Sequence, residues 1–144
     1  MFIGEYTHTA DDKKRISLPA KFRKELGTKV VVTRGLDNCL FLFTTKSWNS
    51  IAEKTSSLGM MQADTRGFTR FIFSGASEIE VDSAGRILIP ETLCDFAGLK
   101  TKVVFTGVQD RIEIWNEKRW EEYKKRIESE GERMAEKLGS IGMI

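Results

Sequence analysis

Nine residues, Asp11-Asp12-Lys13-Lys14-Arg15-Ile16-Ser17-Leu18-Pro19, recur 71 positions later as Asp82-Ser83-Ala84-Gly85-Arg86-Ile87-Leu88-Ile89-Pro90. Both stretches read Asp-x-x-x-Arg-apolar-x-apolar-Pro. The echo continues downstream: Thr28–Thr33 is answered by Thr101–Thr106, Leu40-x-Leu42-Phe43 by Ile112-x-Ile114-Trp115, and Lys46-x-Trp48 by Lys118-x-Trp120. Agreement in several blocks separates a duplicated unit from a chance match. A unit of about 45 residues is too small to bury a sufficient core alone, because surface dominates volume at that size. The two copies must therefore pack on each other, and the chain is expected to be an α+β protein in which two tandem β units share one core, flanked by helices.

Read in order, the chain divides into a first unit over 1–48, a connector over 49–75, a second unit over 76–120 and a helix with tail over 121–144. Phe2–Thr9, rich in β-branched and aromatic residues, predicts a strand carrying His8. Arg15–Leu18 predicts a short strand, and Pro19 opens a helix at its first position, with Phe22 and Leu26 on one face. Gly27 closes that helix with positive φ. Val30–Val32 and Leu40–Phe43 are too densely apolar to face water, and pair as core strands across a turn at Gly35–Asn38. A helix from about Lys46 to Ser56 is capped by Thr44 or Thr45 and turns Trp48, Ile51 and Ala52 inward. A second connector helix, capped by Asp64, bears Phe68, Phe71 and Ile72 and ends at Gly75.

The second unit repeats the plan with strands over 78–81 and 86–89, a helix over 90–97 ended by Gly98, and strands over 103–105 and 112–115. Asn116 caps a long amphipathic helix with Trp120, Tyr123, Ile127, Met134 and Leu138 in one stripe, interrupted at Gly131. That stripe suits either the chain's own sheet or a neighbouring subunit. The tail from Gly139 is expected to fray.

Composition removes several function classes. No apolar run reaches the length of a membrane span and Met1–Glu5 lacks a signal-peptide pattern, so the expected location is the cytoplasm. Two cysteines and one histidine, without paired spacing, do not make a zinc site, and Cys39 and Cys94 read as small buried residues. No Ser/His/Asp or Cys/His set and no phosphate-cradling glycine loop appears, so no catalytic residue, metal, cofactor or small-molecule substrate is assigned.

The repeated motif has its own chemistry. Asp11 and Asp82 can accept backbone N–H bonds across a turn, and Gly85 supplies positive φ at its fourth position. A carboxylate four residues before an arginine also orients the guanidinium, whose fork suits guanine edges or phosphate. An exposed ion pair stabilises by only about 0–1 kcal/mol, a weak reason for the motif to recur intact.

The two copies differ in charge. Residues 11–24 hold six cations and two anions, whereas residues 82–95 hold one cation and three anions. Arg15, beside Lys13 and Lys14 and followed by Lys21, Arg23 and Lys24, is the better candidate for nucleic-acid contact. Arg86 stands in an acidic stretch. Lys13, Lys14 and Lys21 are assigned to phosphates, which position a protein without reading sequence.

The opening Met1-Phe2-x-Gly4, the two motifs with their prolines, the two Lys-x-Trp ends and the length together resemble the MraZ family, built from two tandem SpoVT/AbrB-type swapped-hairpin units. The resemblance implies a nucleoid-associated transcriptional regulator, usually a repressor, acting on the promoter of the division and cell-wall gene cluster. It also implies a homo-oligomeric ring presenting Arg15, Arg86 and their loops to repeated elements of double-stranded DNA. The alternative is an antitoxin-like or other protein-interaction module on the same fold. One departure stands out: the family pattern has Gly before the motif arginine, as at Gly85, where the first copy has Lys14. Positive φ at Lys14 would cost about 1–2 kcal/mol; otherwise the two turns must differ.

Overall fold

The structure is a computed structural model describing residues 1–142. A six-stranded antiparallel sheet forms its middle layer. The strands are β1 (Phe2–Thr9), β3 (Lys29–Arg34), β4 (Leu40–Thr44), β5 (Ser77–Glu80), β7 (Lys102–Gln109) and β8 (Ile112–Asn116), in the order β1-β7-β8-β4-β3-β5. Read by repeat, this order is a palindrome. The hairpins β3–β4 and β7–β8 meet at the centre, where Leu40 pairs Ile114 and Leu42 pairs Ile112.

The leading strands are exchanged. β1 pairs with β7 of the second copy, from Phe2 opposite Gln109 to Thr9 opposite Lys102, and β5 pairs with β3 of the first. Two matched backbone bonds extend the exchange: Ala10 N–H donates to Thr101 O at 2.8 Å, and Val81 N–H to Thr28 O at 2.9 Å. Neither copy can close its sheet without the other, so the tandem units share one core.

Strand alternation gives the sheet two apolar faces. Val30, Val32, Leu42, Val103, Phe105 and Ile112 line one and are fully buried. On that face lie the short strands β2 (Ile16–Ser17) and β6 (Arg86–Ile87) with the helices α1 (Ala20–Leu26) and α4 (Glu91–Ala97). On the other, Phe43, Trp48 and Phe73 stack in sequence beneath α2 (Thr45–Ser56) and α3 (Ala63–Ser74), and Trp115, Trp120 and Tyr123 cluster under α5 (Glu117–Ser140).

Several local expectations shift. Pro19 and Pro90 are N-cap residues, not first helical residues: their extended ψ of 131° and 142° puts them outside the helix, and their carbonyls accept the first helical bonds. Gln62, not Asp64, caps α3, and Asp64 lies in its first turn, where a carboxylate suits the positive helix end. The second motif strand pairs only over Arg86–Ile87, so Leu88 is left exposed. α5 runs unbroken through Gly131 and on to Ser140, where a frayed tail was expected; residues 143 and 144 of that tail lie outside the described residues. Its first turns pack: Trp120 Nε1 and Lys124 Nζ both donate to the Glu5 carboxylate, at 2.7 and 2.6 Å, which holds that carboxyl below its ordinary range. Towards the far end, Leu138 is exposed.

His8 is half-buried on β1 with its ring edge-on to Phe105, and burial lowers its pKa. Cys39 is buried and Cys94 half-buried, and burial raises both thiols. Among the described residues there is no cluster of His, Cys, Asp or Glu able to hold a metal, and no helix is long and apolar enough to cross a membrane.

Candidate nucleic-acid interface

Each motif folds into the same tight turn. Asp11 Oδ1 accepts the backbone N–H groups of Lys13 and Arg15, at 2.9 and 2.8 Å, and Asp11 Oδ2 accepts Arg15 Nε–H at 2.9 Å. In the second copy Asp82 does the same for Ala84 N–H, Arg86 N–H and Arg86 Nε–H, at 2.9, 2.8 and 2.8 Å. In both copies the arginine's backbone N–H does most to hold the aspartate below the usual carboxylate range. Gly85 has φ 77° and Lys14 has φ 64°, so the two turns are alike and Lys14 takes the strained conformation.

The contact with Nε decides what the arginines can do. It leaves the edge formed by the two terminal NH2 groups, which matches the paired acceptors of guanine or two phosphate oxygens. Each arginine side chain is 31% exposed, so the fork is held yet reachable.

The two turns meet. Ile16 pairs Ile87 and Ser17 pairs Arg86 in the two-stranded β2–β6 ladder, and Leu18 N–H donates to Gly85 O at 2.9 Å. Arg86 Nη1 then lies 3.8 Å from Asp11 Oδ2, the oxygen that accepts Arg15 Nε. One carboxylate thus faces both guanidiniums, and Arg15 and Arg86 belong to one composite site.

Arg86 itself faces two carboxylates, Asp82 and Asp11, but its turn also carries a cation that its flanking sequence does not supply. Strand exchange places α1, with its cations, against the second turn: Arg23 Nε donates to Leu18 O at 2.8 Å, and its guanidinium lies over Gly85. A Cβ at Gly85 would come within 2.7 Å of Arg23 Cζ, so a side chain there would push the Arg23 guanidinium aside, while the positive φ by itself favours glycine. The residue equivalent to Arg23 in the other half is Cys94, whose Sγ makes the matching contact to Ile89 O at 3.6 Å. A short thiol leaves open a cleft of about 600 Å³ bordered by Asp11, Lys14, Leu88, Cys94 and Leu99. Lys14 borders this cleft, where the first turn has Cys94 at the position equivalent to Arg23.

Of the other residues singled out from sequence, Lys13 and Lys14 are exposed on the first turn and Lys21 is exposed on α1. Sequence reasoning missed the approach of Arg86 to Asp11 and the delivery of Arg23 to the opposite turn. Both follow from strand exchange. A fusion of the swapped-hairpin kind implies such a crossing, and tracing α1 through it would have found Arg23.

The family model for MraZ proteins, described as antitoxin-like, matches this chain twice, over residues 1–71 and 72–138. The chain belongs to the MraZ family. The protein named transcriptional regulator MraZ from Moorella thermoacetica is 51% identical over 138 residues, 96% of each chain. Proteins of the same name from Caldanaerobacter subterraneus subsp. tengcongensis and Syntrophomonas wolfei subsp. wolfei are 48% and 46% identical over 143 residues, covering 99% of this chain and all of theirs. The family is one of transcriptional regulators and not an enzyme class.

Proposed function

We propose that this MraZ-family chain regulates transcription by binding double-stranded DNA through the composite tip, with Arg15 and Arg86 as the base-reading or phosphate-clamping forks. The observation that carries this reading is the pair of partly exposed guanidiniums, each held through Nε by its own aspartate and brought together where Arg86 Nη1 approaches Asp11. Lys13, Lys14 and Lys21 neutralise phosphates; Asp11, Asp82 and Gly85 set the turns. Residues 1–48 and 76–120 act as the two DNA-facing units, 49–75 as the connector and 121–144 as the closing helix and tail.

One composite tip offers few contacts, so useful affinity calls for several tips on one assembly engaging successive DNA repeats, where later contacts become effectively intramolecular. Exposed Leu58, Met60, Met61 and Phe68 on the connector, with Leu138 and Ile141 at the end of α5, supply apolar surface for such self-association. In this reading the assembly is a ring that represses the division and cell-wall gene cluster, in the cytoplasm and on the nucleoid, as the resemblance carried by the motifs implies.

A gel shift on the DNA upstream of the chain's own gene, together with the mass of the free oligomer, tests this. The expected result is a specific shift by an oligomer, lost in Arg15→Ala. Removing Lys13 and Lys14 together should reduce the slope of log affinity against log salt by up to about two. An unshifted upstream duplex, or a monomer that binds as tightly as any larger form, would overturn the reading.

A further inference from the structure

The second turn carries something the first lacks. Arg23 is held through Nε alone, and its two NH2 groups have no protein partner among the described residues. Arg23 borders an open cleft of about 350 Å³ with Thr28, Ser83, Ala84 and Gly85. Neither Ser83 Oγ nor the Ser83 backbone N–H makes a protein hydrogen bond among the described residues. Asp82 lines the same cleft, but its two oxygens are occupied by two backbone N–H groups and Arg86 Nε. Two residues with unused donors, Arg23 and Ser83, therefore line one cleft with a carboxylate whose own contacts are satisfied.

At the first turn the equivalent positions are Cys94 for Arg23, Asp12 for Ser83 and Asp95 for Lys24. The helix cation is gone there, and two carboxylates stand where the second turn has a hydroxyl and a lysine. The first turn therefore lacks this set of donors and has to draw its cations from elsewhere.

We infer that the second turn is a phosphate-binding notch assembled from both halves of the chain, with the terminal NH2 groups of Arg23 and the hydroxyl and N–H of Ser83 as its donors. It deepens the DNA-binding reading and rests on it: the ligand is a phosphodiester of the DNA backbone next to the position read by Arg86. The first turn carries its cations on the loop, at Lys13 and Lys14. The second, with Ser83 and Ala84 at those places, takes its cation from α1 of the other half. Both turns then contact phosphate although the second motif is locally acidic in sequence.

The test is fluorescence anisotropy of the upstream duplex over a salt series, with the full-length protein. Arg23→Gln should weaken binding and reduce the salt slope by about one, the signature of one phosphate contact. Arg23→Lys should keep the slope, because the charge stays although the fork that bonds Leu18 O is altered. Ser83→Ala should weaken binding a few-fold with the slope unchanged. Equal losses in Arg23→Gln and Arg23→Lys, accompanied by a lowered melting temperature, would make Arg23 a packing residue and overturn the notch, as would an unchanged slope in Arg23→Gln. Inorganic phosphate is the second probe. Arg23-dependent binding of phosphate with no change in the duplex slope would assign the cleft to a free anion and refute the DNA contact. A wild-type protein with no preference for the upstream duplex would instead sink the underlying reading. A slope lowered only by changes at Lys13, Lys14 and Arg15 would leave that reading standing and remove the notch.

Discussion

The two turns share backbone conformation, Asp–Arg hydrogen bonds and a place in one ladder, yet each obtains its positive charge differently. The first holds lysines on the loop and has a thiol, Cys94, beneath it. The second has small neutral residues on the loop and Arg23 above it. The difference teaches that the charge on a turn cannot be read from the residues flanking it in sequence when leading strands are exchanged. The α1 cations counted with the first motif are divided in space, and one of them closes over Gly85.

The largest expected effect separates the arginines from the scaffold. Arg15→Ala should cost specific DNA binding tenfold or more, in line with about 1–3 kcal/mol for a lost bidentate contact. Its melting temperature should change little, because a partly exposed ion pair contributes only about 0–1 kcal/mol. Equilibrium binding beside thermal denaturation checks this. A large drop in melting temperature with specificity retained would make the motif structural.

Next comes the exchangeable pair at the turns. Cys94→Arg puts the second half's arrangement into the first, where the Lys14 side chain now obstructs the guanidinium. Overpacking of this kind should destabilise by about 1–3 kcal/mol. Adding Lys14→Gly should restore most of the loss, since it removes the obstruction and the strain of positive φ, about 1–2 kcal/mol by itself. Denaturant unfolding of the two single variants and the double variant gives the coupling. Additive effects would show that the two positions do not meet.

A smaller contrast lies between the aspartates. Asp11 faces both guanidiniums and Asp82 grips only its own. Asp11→Asn should therefore lower DNA affinity more than Asp82→Asn, by a few-fold in anisotropy titrations. Equal losses would deny the shared carboxylate.

The smallest effect is the acid response. Both aspartates have folded pKa values below their unfolded ones. The order they impose on the turns should be fully present above about pH 4, the ordinary range of an aspartate, and be lost as pH falls through the lowered folded values. Backbone amide shifts of Arg15 and Arg86, followed through acid titration, should move together and below that range. A midpoint at or above pH 4 would contradict the gripped geometry.

Much of this was legible in the chain, for physical reasons. Periodicity placed the core strands because dense runs such as Val30–Val32 cannot face water. The repeated motif located the turns because Asp and an αL residue at fixed offsets make one kind of hairpin. Element ends were less legible: a proline fits both the cap and the first helical position, and Gln62 gives no capping signal through its side chain. The pairing of β1 with β7 is a long-range choice that local pattern does not encode, and the environment of Arg86 depended on it. Lys14 was the clearest case. Its sequence posed a choice between strain and a different turn, and the structure resolves it in favour of strain, with a cysteine 80 positions away bordering the same cleft.

The most direct test of the composite tip is a map of zero-length or photo-induced crosslinks between the full-length protein and its upstream duplex, read by mass spectrometry. Crosslinked residues should fall within 11–24 and 82–86, drawing on both halves of the chain at once. Crosslinks confined to α2, α3 or α5, on the other face of the sheet, would contradict it.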